Sequence, residues 1–205
     1  MNISILFFLA FACRQNSLPP SGSPYEVKTP RAIEIDGLSF VAPPRGFAID
    51  PMQAVKKVGA GWIAVIPYAY TLSGDTKVHF NSPRQWWGER VEGVIESIAR
   101  AQAVGIKVML KPQVYFPGSW PGGIDFSEEA DWQIWESNYR KYIMTFVAIA
   151  DSMSVPMFCV GTEFKVSEQK RPNFWRKLIR DIRKVYKGKL TYAANWDSFD
   201  QVPFW

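Results

Sequence analysis

Short apolar runs that lack alternation recur along the chain, and each is followed by a segment with helical spacing. The runs occupy residues 38–42, 62–67, 106–112, 155–161 and 190–194. Strands buried on both faces have this pattern, and the usual cause is a parallel sheet covered by helices. We therefore predict five parallel strands, each connected to the next by a helix.

The segments between these runs have the residue spacing of amphipathic helices. The first, 51–58, has Asp50 as its predicted N-cap and Pro51 at the first helical position. The second, 87–104, ends at Gly105, and glycine is a common residue just past the end of a helix. We expect both helices to pack against the sheet.

The third helix is predicted to be the longest, and Asp125 with Glu128 predicts a capping box at its start. Large residues then recur at spacings of three and four, which is typical of a stripe that faces the core: Trp132, Trp135, Tyr139, Tyr142, Phe146 and Ile149. The basic segment 171–189 has a shorter apolar stripe: Phe174, Leu178, Ile182 and Val185. We interpret it as a packed helix with a solvated basic face, in preference to a polyanion site.

Alternating strands and helices predict an α/β protein with right-handed crossovers, for which two architectures compete. An open doubly wound sheet of five strands fits 205 residues, whereas a (β/α)8 barrel typically needs about 250 residues and eight units. The first predicted strand is followed by residues 43–46, Pro-Pro-Arg-Gly, and no GxGxxG or GxxxxGK[ST] motif occurs in the sequence. A nucleotide-binding doubly wound fold therefore has no support from motifs.

Polar and aromatic side chains gather where the predicted strands end. They are Tyr68 and Tyr70 after the second strand, Lys111 and Gln113 at the third, Glu163 after the fourth, and Asn195, Trp196 and Asp197 after the fifth. Barrel enzymes build their sites in this way, from the carboxyl ends of several strands. This distribution favours the barrel.

The composition predicts one sizeable core, because 47% of the residues are hydrophobic and 15% are aromatic. The formal net charge of +5 does not by itself indicate a nucleic-acid partner. Cys13 and Cys159 are the two cysteines, and no disulfide is implied because Cys159 lies in an apolar strand as a small core residue. His79 is the sole histidine, so we expect it to be a loop residue and expect no metal site. We also expect no cofactor, no GxSxG-type serine triad and a monomer.

The N-terminal segment differs in character from the rest of the chain. Residues 3–12 form an apolar run too short to span a bilayer, and it ends in Ala12 directly before Cys13. This sequence resembles a bacterial lipobox, in which the cysteine becomes the lipidated first residue of the mature protein. The alternatives are an ordinary signal peptide with an incidental cysteine and a mispredicted start.

These signals predict a lipoprotein-type signal peptide at residues 1–13, a flexible tether at 14–34 and one domain at 35–205. The tether is rich in Ser and Pro, as linkers often are. A lipid anchor would place the protein in the bacterial cell envelope, at the periplasmic side or the cell surface.

Four segments at or near strand ends resemble glycoside hydrolase family 113. They are Trp86-Trp87-Gly88-Glu89, Val108-Met109-Leu110-Lys111-Pro112, Gly161-Thr162-Glu163-Phe164 and Tyr192-Ala193-Ala194-Asn195-Trp196. Members of this family act on β-mannan and belong to a large clan of retaining (β/α)8 glycosidases. The resemblance implies that residues 35–205 form the first five units of such a barrel, with Glu163 as general acid/base. Many clan members have Asn directly before this acid, where this sequence has Thr162.

The chemistry of a retaining glycosidase uses two carboxyl groups about 5–5.5 Å apart, one as proton donor and one as nucleophile. Glu163 would be the proton donor, and a carboxylate bonded to a neighbouring loop is the structural alternative. Lys111 and Asn195 could bind sugar hydroxyls, while Trp120 and Trp196 offer flat faces for pyranose rings. Structural alternatives are an ion pair for Lys111, a turn cap for Asn195 and a loop anchor for Trp120.

The family places the nucleophile, a Glu, at the end of the seventh strand, and this sequence ends after the fifth, at Trp205. The resemblance gives that role to neither Asp197 nor Asp200. We expect a fragment of a β-mannanase or related β-glycanase that is inactive as a 205-residue chain. The other hypotheses are a noncatalytic glycan-binding surface lipoprotein and a complete open-sheet α/β protein of unknown function.

Overall fold

The computed structural model describes residues 35–72 and 74–205, and Ile35–Trp205 forms a compact unit. Its strands are β1 Gly37–Phe40, β2 Trp62–Val65, β3 Tyr68–Tyr70, β4 Lys107–Leu110, β5 Gln113–Tyr115, β6 Met157–Thr162 and β7 Lys189–Ala193. Its α-helices are α1 Met52–Lys57, α2 Val91–Ala103, α3 Glu129–Ser152, α4 Lys165–Lys170 and α5 Pro172–Val185. Short 3-10 helices lie at Trp87–Glu89, Pro121–Gly123 and Phe199–Gln201. Every predicted strand is present, with bounds that differ by a few residues.

The main sheet has five parallel strands in the order β1-β2-β4-β6-β7. A second parallel pair, β3 and β5, follows β2 and β4 after a short break in each. Pro67 and Pro112 occupy these breaks, and proline has no N–H to donate to a neighbouring strand. Hydrogen bonds from Lys111 N to Val65 O and from Gln113 N to Pro67 O nevertheless keep the two chains in register. The second and third predicted strands are therefore longer than expected and interrupted.

Helices cover only one face of this sheet in the described part of the chain. The row Val65, Leu110 and Phe158 is buried against them, whereas Met109 and Met157, in the adjacent row, are half-buried on the opposite face. Doubly wound sheets carry helices on both faces and reverse their strand order at a switch point. Sequential order with helices on one side is instead the arrangement of a barrel wall, so the open doubly wound alternative is wrong. These five strands do not close on themselves within the described residues.

The aromatic stripe of α3 forms the centre of the core, as predicted. Its members Trp132, Trp135, Tyr139, Tyr142, Phe146 and Ile149 are all buried. Tyr142 donates a hydrogen bond of 2.7 Å to the carbonyl of Pro67, and Tyr139 donates one of 2.9 Å to Val160. These hydroxyls satisfy strand carbonyls from the helix side, so α3 fixes the positions of the strand ends. Cys159 is a buried free cysteine, as expected.

Two helix predictions need correction. The predicted capping box is wrong, because Glu128 makes no side-chain cap and Asp125 instead accepts hydrogen bonds from Lys170, which lies on α4. The predicted 87–104 helix is interrupted at Arg90, which has extended backbone between a 3-10 turn and α2.

The basic helix α5 buries Leu178 and Ile182, as predicted, but not the two ends of the predicted stripe. Trp175 is completely buried, Phe174 is only half-buried, and Val185 is 41% exposed. Trp175 stacks on Phe204 with ring centroids 5.3 Å apart, a partner that helical spacing alone does not reveal. The basic residues of the helix lie mostly on its exposed side, as expected.

The signal peptide, the tether and the predicted lipidation site Cys13 lie outside the described residues. Among residues 35–72 and 74–205, no helix combines the length and hydrophobicity that a bilayer-spanning segment needs.

We expect Tyr142→Phe to lower the free energy of unfolding by about 1 kcal/mol, because it removes the hydrogen bond from the Tyr142 hydroxyl to the buried Pro67 carbonyl, which then keeps only the Gln113 amide as a donor. Urea unfolding followed by fluorescence measures this change. Tyr115→Phe, which alters a half-exposed tyrosine on β5, is the control and should stay within about 0.5 kcal/mol of the parent. Equal stability of Tyr142→Phe and the parent would contradict the proposed role of the α3 hydroxyls.

Candidate active site

Glu163 directly follows β6, at the carboxyl end of the sheet. Its backbone N–H donates a hydrogen bond of 2.8 Å to the carbonyl of Ala193 on β7, and its φ angle is +58°. A non-glycine residue in this left-handed conformation costs about 1–2 kcal/mol. Such strain persists only where the surroundings enforce it, and it is concentrated at functional sites.

The Glu163 carboxylate is held by Trp120. The indole Nε1–H of Trp120 donates a hydrogen bond of 2.9 Å to Glu163 Oε2, and the Trp120 side chain remains 40% exposed. Gly122 lies directly beneath the ring, where an added Cβ would be only 2.3 Å from the indole and 2.6 Å from Glu163 O. The loop therefore brings a tryptophan into contact with the acid because glycine leaves room for it. Trp120 and Glu163 are 43 residues apart in the sequence, so residue spacing gave no indication of this contact.

A hydrogen-bond network behind Glu163 holds its strained backbone. The N–H of Phe164, the next residue, donates a 3.0 Å hydrogen bond to the hydroxyl of Tyr192, and that hydroxyl donates to the carboxyl of Glu168. The N–H of Glu168 in turn donates a 2.7 Å hydrogen bond to the carbonyl of Phe164. Glu168 is only 1% exposed, and burial raises its pKa, although the hydrogen bond from Tyr192 acts in the opposite direction.

Neither Glu168 nor Tyr192 was identified from the sequence as part of the site. An acid one helical turn beyond Glu163 resembles any solvated helix residue, and Tyr192 resembles an ordinary strand residue. A signal was nevertheless present, because Tyr192 belongs to one of the segments that resemble the glycosidase family. Both residues act on the position of Glu163 through the hydrogen bonds described above.

Two polar side chains flanking Glu163 lack hydrogen-bond partners among the described residues. Thr162 Oγ1, at the end of β6, and Asn195 Nδ2, after β7, are both buried and unpaired. An unsatisfied buried polar group costs about 1–3 kcal/mol, so a ligand that satisfies it gains affinity. Among residues 35–72 and 74–205 the Asn195 side-chain amide donates to no turn, and it is the backbone carbonyl of Asn195 that accepts a hydrogen bond from the Ser198 amide.

Tyr68, Lys111 and Gln113 lie on the face of the sheet away from the helices. Tyr68 and Gln113 are opposite each other in the β3–β5 pair, and all three side chains are half-buried. Neighbouring strands are about 4.8 Å apart, so these side chains line one continuous surface at the strand ends. No salt bridge involves Lys111 in the described part of the chain.

Trp196 follows Asn195 and is 89% exposed, with both ring faces open to solvent. Asp197 forms an ion pair with Lys165 at 3.1 Å, which lowers the pKa of Asp197. Away from the site, His79 contacts Asp75 at 3.2 Å and pairs with Tyr70 through its backbone. Residues 35–72 and 74–205 contain no group of three His, Cys, Asp or Glu side chains arranged to hold a metal ion.

Comparison with known proteins gives this geometry a context. The sequence model of Glycoside Hydrolase Family 113 matches residues 45–205, which is most of the chain. The chain belongs to glycoside hydrolase family 113. Its β/α units are thus part of the (β/α)8 barrel of that family, as predicted. A comparison with curated proteins finds no match.

Solved structures of family 113 align well with this member. The GH113 β-mannanase AaManA from Alicyclobacillus acidocaldarius, in complex with ManMIm, aligns with a TM-score of 0.74 and 26% identity over 82% of this chain. A GH113 β-1,4-mannanase in a complex structure aligns with a TM-score of 0.70 and 27% identity over 83% of this chain. The family 113 chain described here covers 56% and 59% of the lengths of those two proteins.

We expect Gly122→Ala in this family 113 chain to displace Trp120 from Glu163 and to lower the free energy of unfolding by about 1–3 kcal/mol, since the new methyl group overlaps the indole. The indole N–H signal of Trp120 in a ¹H–¹⁵N spectrum, assigned with Trp120→Phe, should shift. Gly123→Ala is the matched control, because a Cβ there meets nothing within 4 Å. Equal shifts in both variants would contradict the packing of Trp120 on Gly122.

Proposed function

We propose that this protein hydrolyses β-1,4-mannan or a related β-linked polysaccharide by a retaining mechanism, with Glu163 as general acid/base. The observation that carries the proposal is the position of Glu163, an acid at the carboxyl end of the fourth barrel strand with its carboxylate held by Trp120. Similarity to the two GH113 structures supports the substrate class, because one of those proteins is a β-mannanase and the other is a β-1,4-mannanase.

In the first step Glu163 protonates the glycosidic oxygen as the bond to the anomeric carbon breaks. A second carboxylate attacks that carbon and forms a covalent glycosyl-enzyme. Glu163 then removes a proton from the water that hydrolyses this intermediate. The Trp120 indole donates its hydrogen bond to Oε2 of Glu163, so Oε1 is the oxygen that faces the leaving group. This arrangement fixes the direction of proton transfer.

The sugar chain would lie along the half-buried polar side chains at the strand ends. Lys111 and Gln113 donate hydrogen bonds to sugar hydroxyls, and the unpaired Asn195 amide gains a partner on binding. Tyr68 supplies both a ring edge and a hydroxyl. The exposed faces of Trp120 and Trp196 pack against the apolar faces of pyranose rings.

We assign the nucleophile neither to Glu168, which is near Glu163 in the chain, nor to Asp197, which follows the neighbouring strand β7. Glu168 is buried with its carboxyl bonded to Tyr192, and Asp197 is paired with Lys165. As the family resemblance implies, we assign the nucleophile to a Glu at the end of the seventh barrel strand. Sequencing the gene past the Trp205 codon tests this assignment, since it requires a Glu after two further strand and helix units.

Glu163→Gln in the product of the complete reading frame should lower kcat on mannan by about 10²–10⁴-fold, the usual contribution of general acid catalysis. Aryl mannosides with highly activated leaving groups need little protonation, so their glycosylation step should slow far less. Glu128→Gln, a change of an exposed acid before α3, is the control and should keep full activity.

Unchanged mannan hydrolysis by Glu163→Gln would remove Glu163 from the mechanism. Tight binding of manno-oligosaccharides by the parent protein without any turnover would instead support the noncatalytic glycan-binding hypothesis.

We also propose that Cys13 carries a lipid anchor that holds the protein at the bacterial cell envelope. When the gene is expressed in bacteria fed labelled palmitate, Cys13→Ala should lose the label and move from the membrane fraction to the soluble fraction. Cys159→Ala is the matched control, because the other cysteine is buried in β6 and should not affect labelling. Label that persists in Cys13→Ala would refute the anchor.

A further inference from the structure

Glu89 is a second buried acid at the carboxyl end of the sheet, and the chemistry proposed above does not use it. It ends the 3-10 turn Trp87–Glu89 and is only 7% exposed. The turn is fixed to the end of β1, because Gly88 N donates a 2.8 Å hydrogen bond to Pro43 O. Gly88 also has no room for a Cβ, which would lie 2.3 Å from the Pro43 ring. The position of Glu89 is therefore set by close packing of two backbone segments.

No cation pairs with Glu89 among residues 35–72 and 74–205. Tyr70 donates a hydrogen bond of 3.2 Å to its Oε2. Burial raises the pKa of Glu89, while hydrogen bonds from Tyr70, Trp86 and Gln85 act in the opposite direction. An ionised carboxyl group can accept about four hydrogen bonds, so these donors leave capacity for a ligand hydroxyl. An acid that is desolvated without a counter-ion is more typical of a functional site than of a structural one.

Glu89 lines a cavity of about 250 Å³ on the helix-free side of the sheet. Tyr68 and Trp86 line it as well, together with residues from the carboxyl ends of β1 and β2: Ser39, Phe40, Val41, Ala42 and Ile66. Trp86 is 51% exposed, so part of its ring is open to a ligand. The lining thus combines a flat aromatic surface, a phenol and a carboxyl group.

The cavity lies on the same sheet edge as Glu163 but apart from it. Glu163 follows β6 and the cavity lies at the ends of β1 and β2, with β4 between β2 and β6. Glu163 is not among the residues that line the cavity, and β2 and β6 are two strand spacings of about 4.8 Å apart in the sheet.

We propose that Glu89, Tyr68 and Trp86 form a sugar-binding subsite remote from the scissile bond. A pyranose ring has an apolar face, which packs on Trp86, and a rim of hydroxyls, which the Glu89 carboxyl and the Tyr68 phenol bind. An anionic ligand does not fit, because Glu89 has no neighbouring cation to offset its charge. This subsite rests on the proposed function, and it would make the protein bind longer glycan chains more tightly than short ones.

The test measures binding of manno-oligosaccharides of increasing length by calorimetry, with the product of the complete reading frame carrying Glu163→Gln to prevent turnover. In that background, Glu89→Ala and Trp86→Ala should each weaken the binding of the longer ligands about tenfold, as expected for loss of one stacking or charge-assisted contact. Binding of the shortest ligands, which occupy the region beside Glu163, should stay unchanged.

Controls separate this effect from misfolding. Glu92→Gln, which alters an exposed acid on α2, should bind every ligand like its parent. Glu89→Gln keeps the size of the side chain, and should lose affinity for the longer ligands while its circular dichroism spectrum and cooperative urea transition match those of the parent. An affinity loss of equal size at every ligand length, or no loss at any length, would overturn the subsite.

Hydrolysis of mannan by the unmodified protein is measured in parallel to distinguish the two proposals. If it hydrolyses mannan but the Glu89 and Trp86 variants bind as their parent does, only the subsite fails. If it neither binds manno-oligosaccharides nor hydrolyses mannan, the proposed function fails and this inference fails with it.

Discussion

The structure of the site depends on the hydrogen bonds that hold the chain at Glu163 against the end of β7. The residue has left-handed backbone, an unfavourable state, and its amide is bonded to Ala193 while the next amide is bonded to Tyr192. The buried carboxyl of Glu168 accepts a hydrogen bond from the Tyr192 hydroxyl and thereby completes the network. Because β6, α4 and β7 all contribute, the carboxylate of Glu163 is positioned by the assembled barrel wall and not by a local turn.

The same edge of the sheet collects the other polar side chains, because all its strands are parallel and their carboxyl ends meet. Pro67 and Pro112 interrupt the main ladder, and the chain resumes as β3 and β5 on the same line. These extensions place Tyr68 and Gln113 on the face away from the helices, while Ala69 and Val114 beside them remain in the core. Tyr142, on α3, donates a hydrogen bond to the Pro67 carbonyl and so stabilises the interruption from the helix side of the sheet. The packing of α3 in the core therefore also determines where the polar side chains at the strand ends lie.

Three acids distinguish this sheet edge from an ordinary one: the half-buried Glu163 and the buried Glu168 and Glu89. Their carboxyl groups have different environments, namely an indole donor for Glu163, a tyrosine network for Glu168 and a cavity with aromatic walls for Glu89. Only the first was identified from the sequence, through its place after an apolar strand and through family resemblance. Glu168 resembles a solvated helix residue in sequence, and Glu89, although it lies in one of the family-like segments, resembles a turn residue, since burial of an acid depends on what packs over it. Their roles, positioning for Glu168 and ligand binding for Glu89, follow from different contacts.

The sequence by itself determined the strand positions, the aromatic stripe of α3, the burial of Cys159 and the acid after the fourth strand. These features follow from local hydrophobic periodicity and from motifs that are contiguous in the chain. Tertiary structure decided that Trp120 holds Glu163, 43 residues away, and that Asp125 pairs with Lys170, 45 residues away, where a capping box was predicted. It also decided that Trp175, stacked on Phe204, joins Leu178 and Ile182 on the buried face of α5 in place of Phe174. Such pairings form only when distant segments are packed together, so no pattern within a single helix or strand encodes them.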